Sequence, residues 1–283
     1  MRVPRRTAPS GSEAQPVNSR PAPDSVPTRE LPLPPVRIVA AGAPLNWIAR
    51  GWKDFVRTPG PSLLHGLFAA LGGLLVLGVA RQHFYLVSGA FSGFVLVAPV
   101  LVTGLYELSR RLALGERPGL RDAVGAWRRS GRALLGFGLV LTVAGTFWVL
   151  VSSVLIALLV KTPITGFEDF LRYVVLSEDS ELFVVWMAMG GVVAALVFAA
   201  SAVSIPLLLD REVDLLTAIL ASVLAVGANP LVMAWWALLI MIGTTIGIAT
   251  LLAGLVVVVP VLGHATWHAY LDLVDASELP PRR

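Results

Sequence analysis

From Leu231 to Gly263 the chain runs for 33 residues without an ionisable side chain. One helix of that length would reach about 50 Å, against a hydrocarbon core of about 30 Å. Extended through Tyr270, the stretch divides into two short spans near 231–248 and 251–270. The turn is expected at Gly243 to Gly247 or slightly later. Four further apolar runs stand near 62–80, 84–108, 133–160 and 182–209. Only 14% of the residues are charged and 56% are apolar, whereas soluble domains carry about 25% charge. No soluble core of this size hides so much apolar surface, so the expected solvent is lipid. The fold class read from this pattern is an all-α transmembrane bundle of about six spans in three hairpins.

Orientation comes from arginine. Ser109 to Arg132 lies between two apolar runs and carries seven arginines against Glu116 and Asp122. Basic segments between spans face the cytoplasm. With six spans, 19 of the 22 Lys and Arg fall on that side and only Arg81, Lys161 and Arg172 on the other. Both termini are therefore expected in the cytoplasm. A basic balance beside apolar spans points to membrane lipids as partners, with anionic headgroups as the counter-charge, and not to nucleic acid. Residues 1–36 contain nine prolines and no continuous apolar run, which predicts a disordered cytoplasmic tail ahead of a membrane domain over 37–277.

Three stretches read as amphipathic helices at the cytoplasmic surface. Pro44 to Arg57 places Leu45, Ile48, Trp52 and Phe55 on one face, with Arg50, Lys53, Asp54 and Arg57 off it. In 118–130 the apolar face is Leu120, Ala123, Val124 and Trp127. In 210–229 it is Leu215, Leu216, Ile219, Leu220, Val223 and Leu224. Each is followed by a breaker (Thr58-Pro59, Ser130-Gly131, Asn229-Pro230) and a span pair with a late proline (Pro99, Pro206, Pro260). This is a weak threefold repeat. Trp267 and Tyr270 read as interfacial anchors. Glu107, near Arg110 and Arg111, reads as one half of an ion pair. The loop from Lys161 to Glu181 holds five carboxylates without a cation-loop pattern, so it reads as a solvated acidic face. Phe167, Phe170, Leu171 and Val174 suggest a turn or two of helix within it.

Chemistry-bearing residues are few. There is no Cys, hence no disulfide and no thiolate ligand. His264 and His268 share a helical face, and His65 falls at the same depth. Three imidazoles at one level are a conceivable site for a metal or haem iron. Polar residues at helix ends are the plainer account of them, and no cofactor is expected. No Asp, Glu, Lys or Arg lies deep in a span, which argues against an ion-coupled pump. No phosphate-cradling glycine loop, nucleophile elbow or zincin motif occurs, and no enzymatic activity is expected.

Five separated blocks carry a resemblance: PLNWIARGWKDFVRTP, GLYELSRRLALGERP, SIPLLLDREVDLLTAILASV, NPLVMAWWALLI and VVPVLGHATWHAYLDLV. Together they resemble a family of bacterial integral membrane proteins catalogued as a domain of unknown function, over about residues 36 to 275. Its members often carry the label cytochrome c oxidase subunit I by automatic transfer. That label fails on chemistry, because such subunits resemble twelve-span proteins with six metal-ligating histidines and this chain has four His. The resemblance implies the bacterial inner membrane and supplies no activity. The function expected is a non-enzymatic scaffold, or a component that binds lipid or a membrane protein partner. The alternatives are a small transporter or lipid-handling protein and, behind it, a haem or metal protein.

Overall fold

The computed structural model describes residues 33–82, 101–162, 164, 166–176 and 181–282. Most of the Pro-rich tail, and the first part of the span expected at 84–108, lie outside the described residues. Within them the fold is an all-α membrane bundle. Two isolated antiparallel bridges, Val36 to Val274 and Arg211 to Pro281, are the extended pairings. At the first, the Arg37 amide donates to the Leu273 carbonyl and the Asp275 amide to that of Pro35.

The helices are α1 (Ala43–Arg57), α2 (Pro59–Gln82), α3 (described over 101–113), α4 (Leu120–Leu159), α5 (Phe167–Phe170), α6 (Glu181–Ser201), α7 (Ser204–Asp210), α8 (Leu215–Ala228), α9 (Pro230–Ala249) and α10 (Leu255–Leu273). Residues 171–175 continue α5 as a π turn. The short helix expected in the acidic loop is therefore present, and Val174 is buried. Among the described residues, four stretches are long and apolar enough to cross a membrane: 59–79, 132–159, 181–210 and 230–249. They coincide with four of the six spans read from the sequence. In the most apolar window of 132–159 no residue is buried, an arrangement that only an apolar solvent tolerates.

Two breaks differ from the sequence reading. Ser130-Gly131 does not interrupt the chain, since α4 is one helix of 40 residues. Gly and Ser lower helix propensity by only about 1 kcal/mol or less, and neither blocks the backbone as proline does. By contrast, the run 182–209 bends at Ala202-Val203 between α6 and α7. Pro206 cannot donate to the carbonyl of Ala202, and the chain bends there. The Val203 amide turns to Ser222 Oγ, 3.2 Å away, and Ser204 Oγ donates to the Ala218 carbonyl at 3.0 Å.

The final apolar run turns at 250–254, at the later end of the expected range. Leu251 and Leu252 adopt φ of 55° and 68° there, a conformation costly for side chains with a Cβ. The α10 helix that follows packs on α1 and α2. Trp267 and Tyr270, expected at the bilayer interface, are instead almost fully buried. Tyr270 donates to Asp210 Oδ2 at 2.8 Å, which gives its hydroxyl a partner inside the bundle.

The helices read as amphipathic turn small residues toward the protein. In α1 the buried residues are Ala43, Pro44, Trp47, Gly51, Asp54 and Phe55, while Leu45 and Trp52 are about half exposed. In α8 the buried residues are Ala218, Ala221, Ser222 and Ala225, while Leu216, Leu220, Val223 and Leu224 face outward. Small side chains let helix backbones approach, and lipid accepts the bulky apolar ones.

Candidate functional site

The end of the bundle where α1, α3 and α10 meet holds a buried chain of polar side chains. Four close contacts make room for it. An added methyl at Gly66 of α2 would run into the Val256 carbonyl. That carbonyl has no helical N–H to receive, because Pro260 stands four residues on. On α1, Gly51 meets the backbone of Val261 and Ala265, an added methyl lying 2.7 Å from each. Gly263 admits Leu105, and Gly104 admits the His65 ring. With α1, α2, α3 and α10 drawn together, six polar side chains connect.

Thr58 Oγ1 lies 2.9 Å from the Asp54 carbonyl oxygen and 3.1 Å from Ser62 Oγ. Ser62 Oγ lies 2.9 Å from His264 Nε2. His264 Nδ1 lies 2.8 Å from Ser109 Oγ, which donates to Asp54 Oδ2 at 2.8 Å. His268 Nε2 reaches the same oxygen at 2.8 Å. The proton inventory fixes the direction of the chain. The single Ser109 proton goes to the carboxylate, so Ser109 accepts from His264 Nδ1–H. The neutral imidazole then accepts at Nε2 from Ser62. All these donors run toward Asp54, which is 5% exposed. Burial by itself would push the Asp54 carboxyl up. The hydrogen bonds from His268 and Ser109 and the nearby imidazoles outweigh burial and hold it below the usual carboxylate range.

The three histidines named from the sequence meet different fates. His264 and His268 do share a face of α10, joined through Asp54 and Ser109. His65 turns away, its Nδ1 donating to the Pro61 carbonyl at 2.7 Å and its Nε2 buried beside Gly104 without a partner. Both His264 nitrogens are engaged by hydroxyls. Among the described residues no group of three or more His, Cys, Asp or Glu stands where it could hold a metal ion. Sequence reasoning missed Asp54, Thr58, Ser62 and Ser109. The one available signal was spacing: Asp54, Thr58 and Ser62 recur every four residues across the α1–α2 junction.

Around this chain the surface is basic. Arg50 grips Asp272 with both terminal nitrogens, the Trp47 indole N–H joins the same carboxylate at 2.8 Å, and Arg50 Nε is buried without a partner. Glu107, fully buried, is bound by Arg110 at 2.8 Å and Arg111 at 2.7 Å, the ion pair read from the sequence. Three clefts open here. One of about 670 Å³ lies between Arg37, Asn46 and Asp272. A second, of about 210 Å³, reaches Asp54, Ser109 and His268 past Arg50, Lys53 and Arg57. A third, of about 410 Å³, is bounded by Arg57, Leu112, Glu116 and Arg117. None of the three is lined by Ser62 or His264.

No curated protein and no solved structure matches the chain. A family match does exist, over α4 to α7 and the Ser109–Arg117 wall of the clefts, while Asp54, Ser62, His264 and His268 lie outside it. Residues 86–210 match the model of the family described as a predicted integral membrane protein, DUF2189, which is the membrane family of unknown function that the sequence blocks resemble.

Proposed function

We propose that this chain is a non-enzymatic component of the bacterial inner membrane. On this reading it crosses the membrane several times, with its basic rim and both termini in the cytoplasm, and holds a membrane protein partner or lipid headgroups against that rim. One observation carries the reading. The three clefts open at the basic rim, whereas the helix contacts beneath them are closed on glycine at Gly51, Gly66 and Gly263. A scaffold needs a rigid interior and an open docking face. The hydrogen-bonded chain serves the first need by tying α1, α2, α3 and α10 together with about 1 kcal/mol per net hydrogen bond, and more where Asp54 is charged.

The test is recovery of the full chain from native membranes after cross-linking, together with ion and lipid flux in proteoliposomes. A stoichiometric partner or bound lipid with no flux is the expected result. A small transporter or lipid-handling protein is the second reading, favoured by the buried polar chain itself. Flux that Asp54→Asn abolishes would replace the scaffold by that reading. A C-terminal alkaline phosphatase fusion is expected to be inactive, and an active one would reverse the orientation.

A further inference from the structure

Arg57 and Leu112 line both of the smaller clefts, so the two adjoin. Their acidic residues are already engaged. Asp54 accepts from Ser109 and His268, and Glu116 is paired with Arg111 at 3.0 Å. Lys53, Arg57 and Arg117 make no ion pair among the described residues, and all three are exposed. Lys53 and Arg57 stand four residues apart on one face of α1. The joined cleft therefore presents three uncompensated cations within about 620 Å³, the two volumes taken together.

Its position selects the anion. Arg57 precedes the membrane-length helix 59–79 by two residues. Trp52, half exposed and packed on Phe55 with ring centroids 5.3 Å apart, sits on the same helix, as aromatic residues do at headgroup level. The next helix, α2, exposes Leu63, Leu67 and Leu71, an i, i+4 apolar stripe at the length of an acyl chain. A soluble phosphate would use the cations and leave the stripe bare.

We propose that the cleft formed by Lys53, Arg57 and Arg117 binds the phosphodiester headgroup of an anionic phospholipid, with the acyl chains along Leu63, Leu67 and Leu71. The proposal rests on the membrane-component reading and names the lipid class for the same rim. The experiment loads the full-length protein in detergent with equal phosphatidylglycerol and phosphatidylcholine, and counts retained lipid by native mass spectrometry. Wild type should retain phosphatidylglycerol in preference. Each of Lys53→Gln, Arg57→Gln and Arg117→Gln should weaken it about fivefold, and the triple variant about a hundredfold. Arg128→Gln, an exposed cation outside the cleft, should change nothing. Thermal unfolding of the triple variant checks folding, and should it fail to fold, the three single variants decide.

Equal retention of the two lipids would overturn the proposal, as would a triple variant as retentive as wild type. Displacement of the lipid by millimolar inorganic phosphate would assign the cations to a soluble anion instead. None of these outcomes touches the protein-partner arm of the scaffold reading, which stands or falls on partner recovery and flux.

Discussion

The corner formed by α1, α2, α3 and α10 and the pair formed by α4 and α6 obey opposite rules. In the corner, polar groups are inside: Ser62, His264, Ser109 and Asp54 are buried and hydrogen-bonded in turn, and buried Thr58 donates to the Asp54 carbonyl. In the pair, apolar groups are outside: Leu139, Val143, Phe147 and Leu150 of α4, and Val192 and Leu196 of α6, are all exposed. One contact rule is shared, for Gly190 admits Trp148 as Gly66 admits α10. The difference teaches that solvent, not side-chain polarity, decides which face of a helix turns inward. Where lipid is the solvent, bulky apolar residues gain little by burial, while polar groups must find protein partners.

Breaking the corner at its tightest point should have the largest effect. Gly66→Val would place a side chain against the Val256 backbone, which cannot rotate away, and should cost at least about 3 kcal/mol. Detergent melting curves compared with Gly145→Ala, where nothing lies within 4 Å, measure this. A melt unchanged by Gly66→Val would mean that α2 and α10 are not in contact.

Next comes the solvent of the outer pair. Val143→Arg puts a charge on the exposed face of α4 and should cost about 3 kcal/mol of insertion. A membrane-insertion assay reads it, and a neutral result would mean that this face meets water or protein.

Asp54→Ala should cost about 2 kcal/mol, since Ser109 and His268 lose their acceptor inside the bundle. The pH dependence follows from the depressed Asp54 carboxyl. Stability from this group is fully present above the ordinary carboxylate value of about 3.9 and is lost as pH falls through the lower folded value. Acid melts of wild type and Asp54→Asn should therefore converge below about pH 4. A constant gap across the acid range would show that the Asp54 carboxyl titrates alike in the folded and unfolded chain.

Smallest of all should be Leu150→Ala on the lipid-facing side of α4, within about 0.5 kcal/mol by melting. A loss of 2 kcal/mol or more would reveal a partner packed on that face.

How far the sequence could be read follows from the same contrast. Runs such as 133–160 and 182–209 were legible because length and apolarity alone set membrane helices. Which faces of α1 and α8 meet the rest of the protein was not legible, because in lipid a hydrophobic stripe has no preference for the interior. The residues that do point inward, Gly51, Ala218 and Ala221, carry almost no hydropathy signal. A third of the candidate site was legible: His264 and His268 are four residues apart on one helix, and local spacing puts them together. Asp54 and Ser109 were not, because 155 and 55 residues of chain separate Ser109 from its partners His264 and Asp54.

By itself, then, the sequence determined the solvent, the helical class and the concentration of arginine at one rim, since each depends on composition summed over long windows. Only the tertiary structure decided that a carboxylate, two imidazoles and three hydroxyls would share one buried chain. That assembly depends on glycines at helix crossings, where backbones approach closely enough for short side chains to touch. Such approach is a property of pairs of helices and is written in neither one alone.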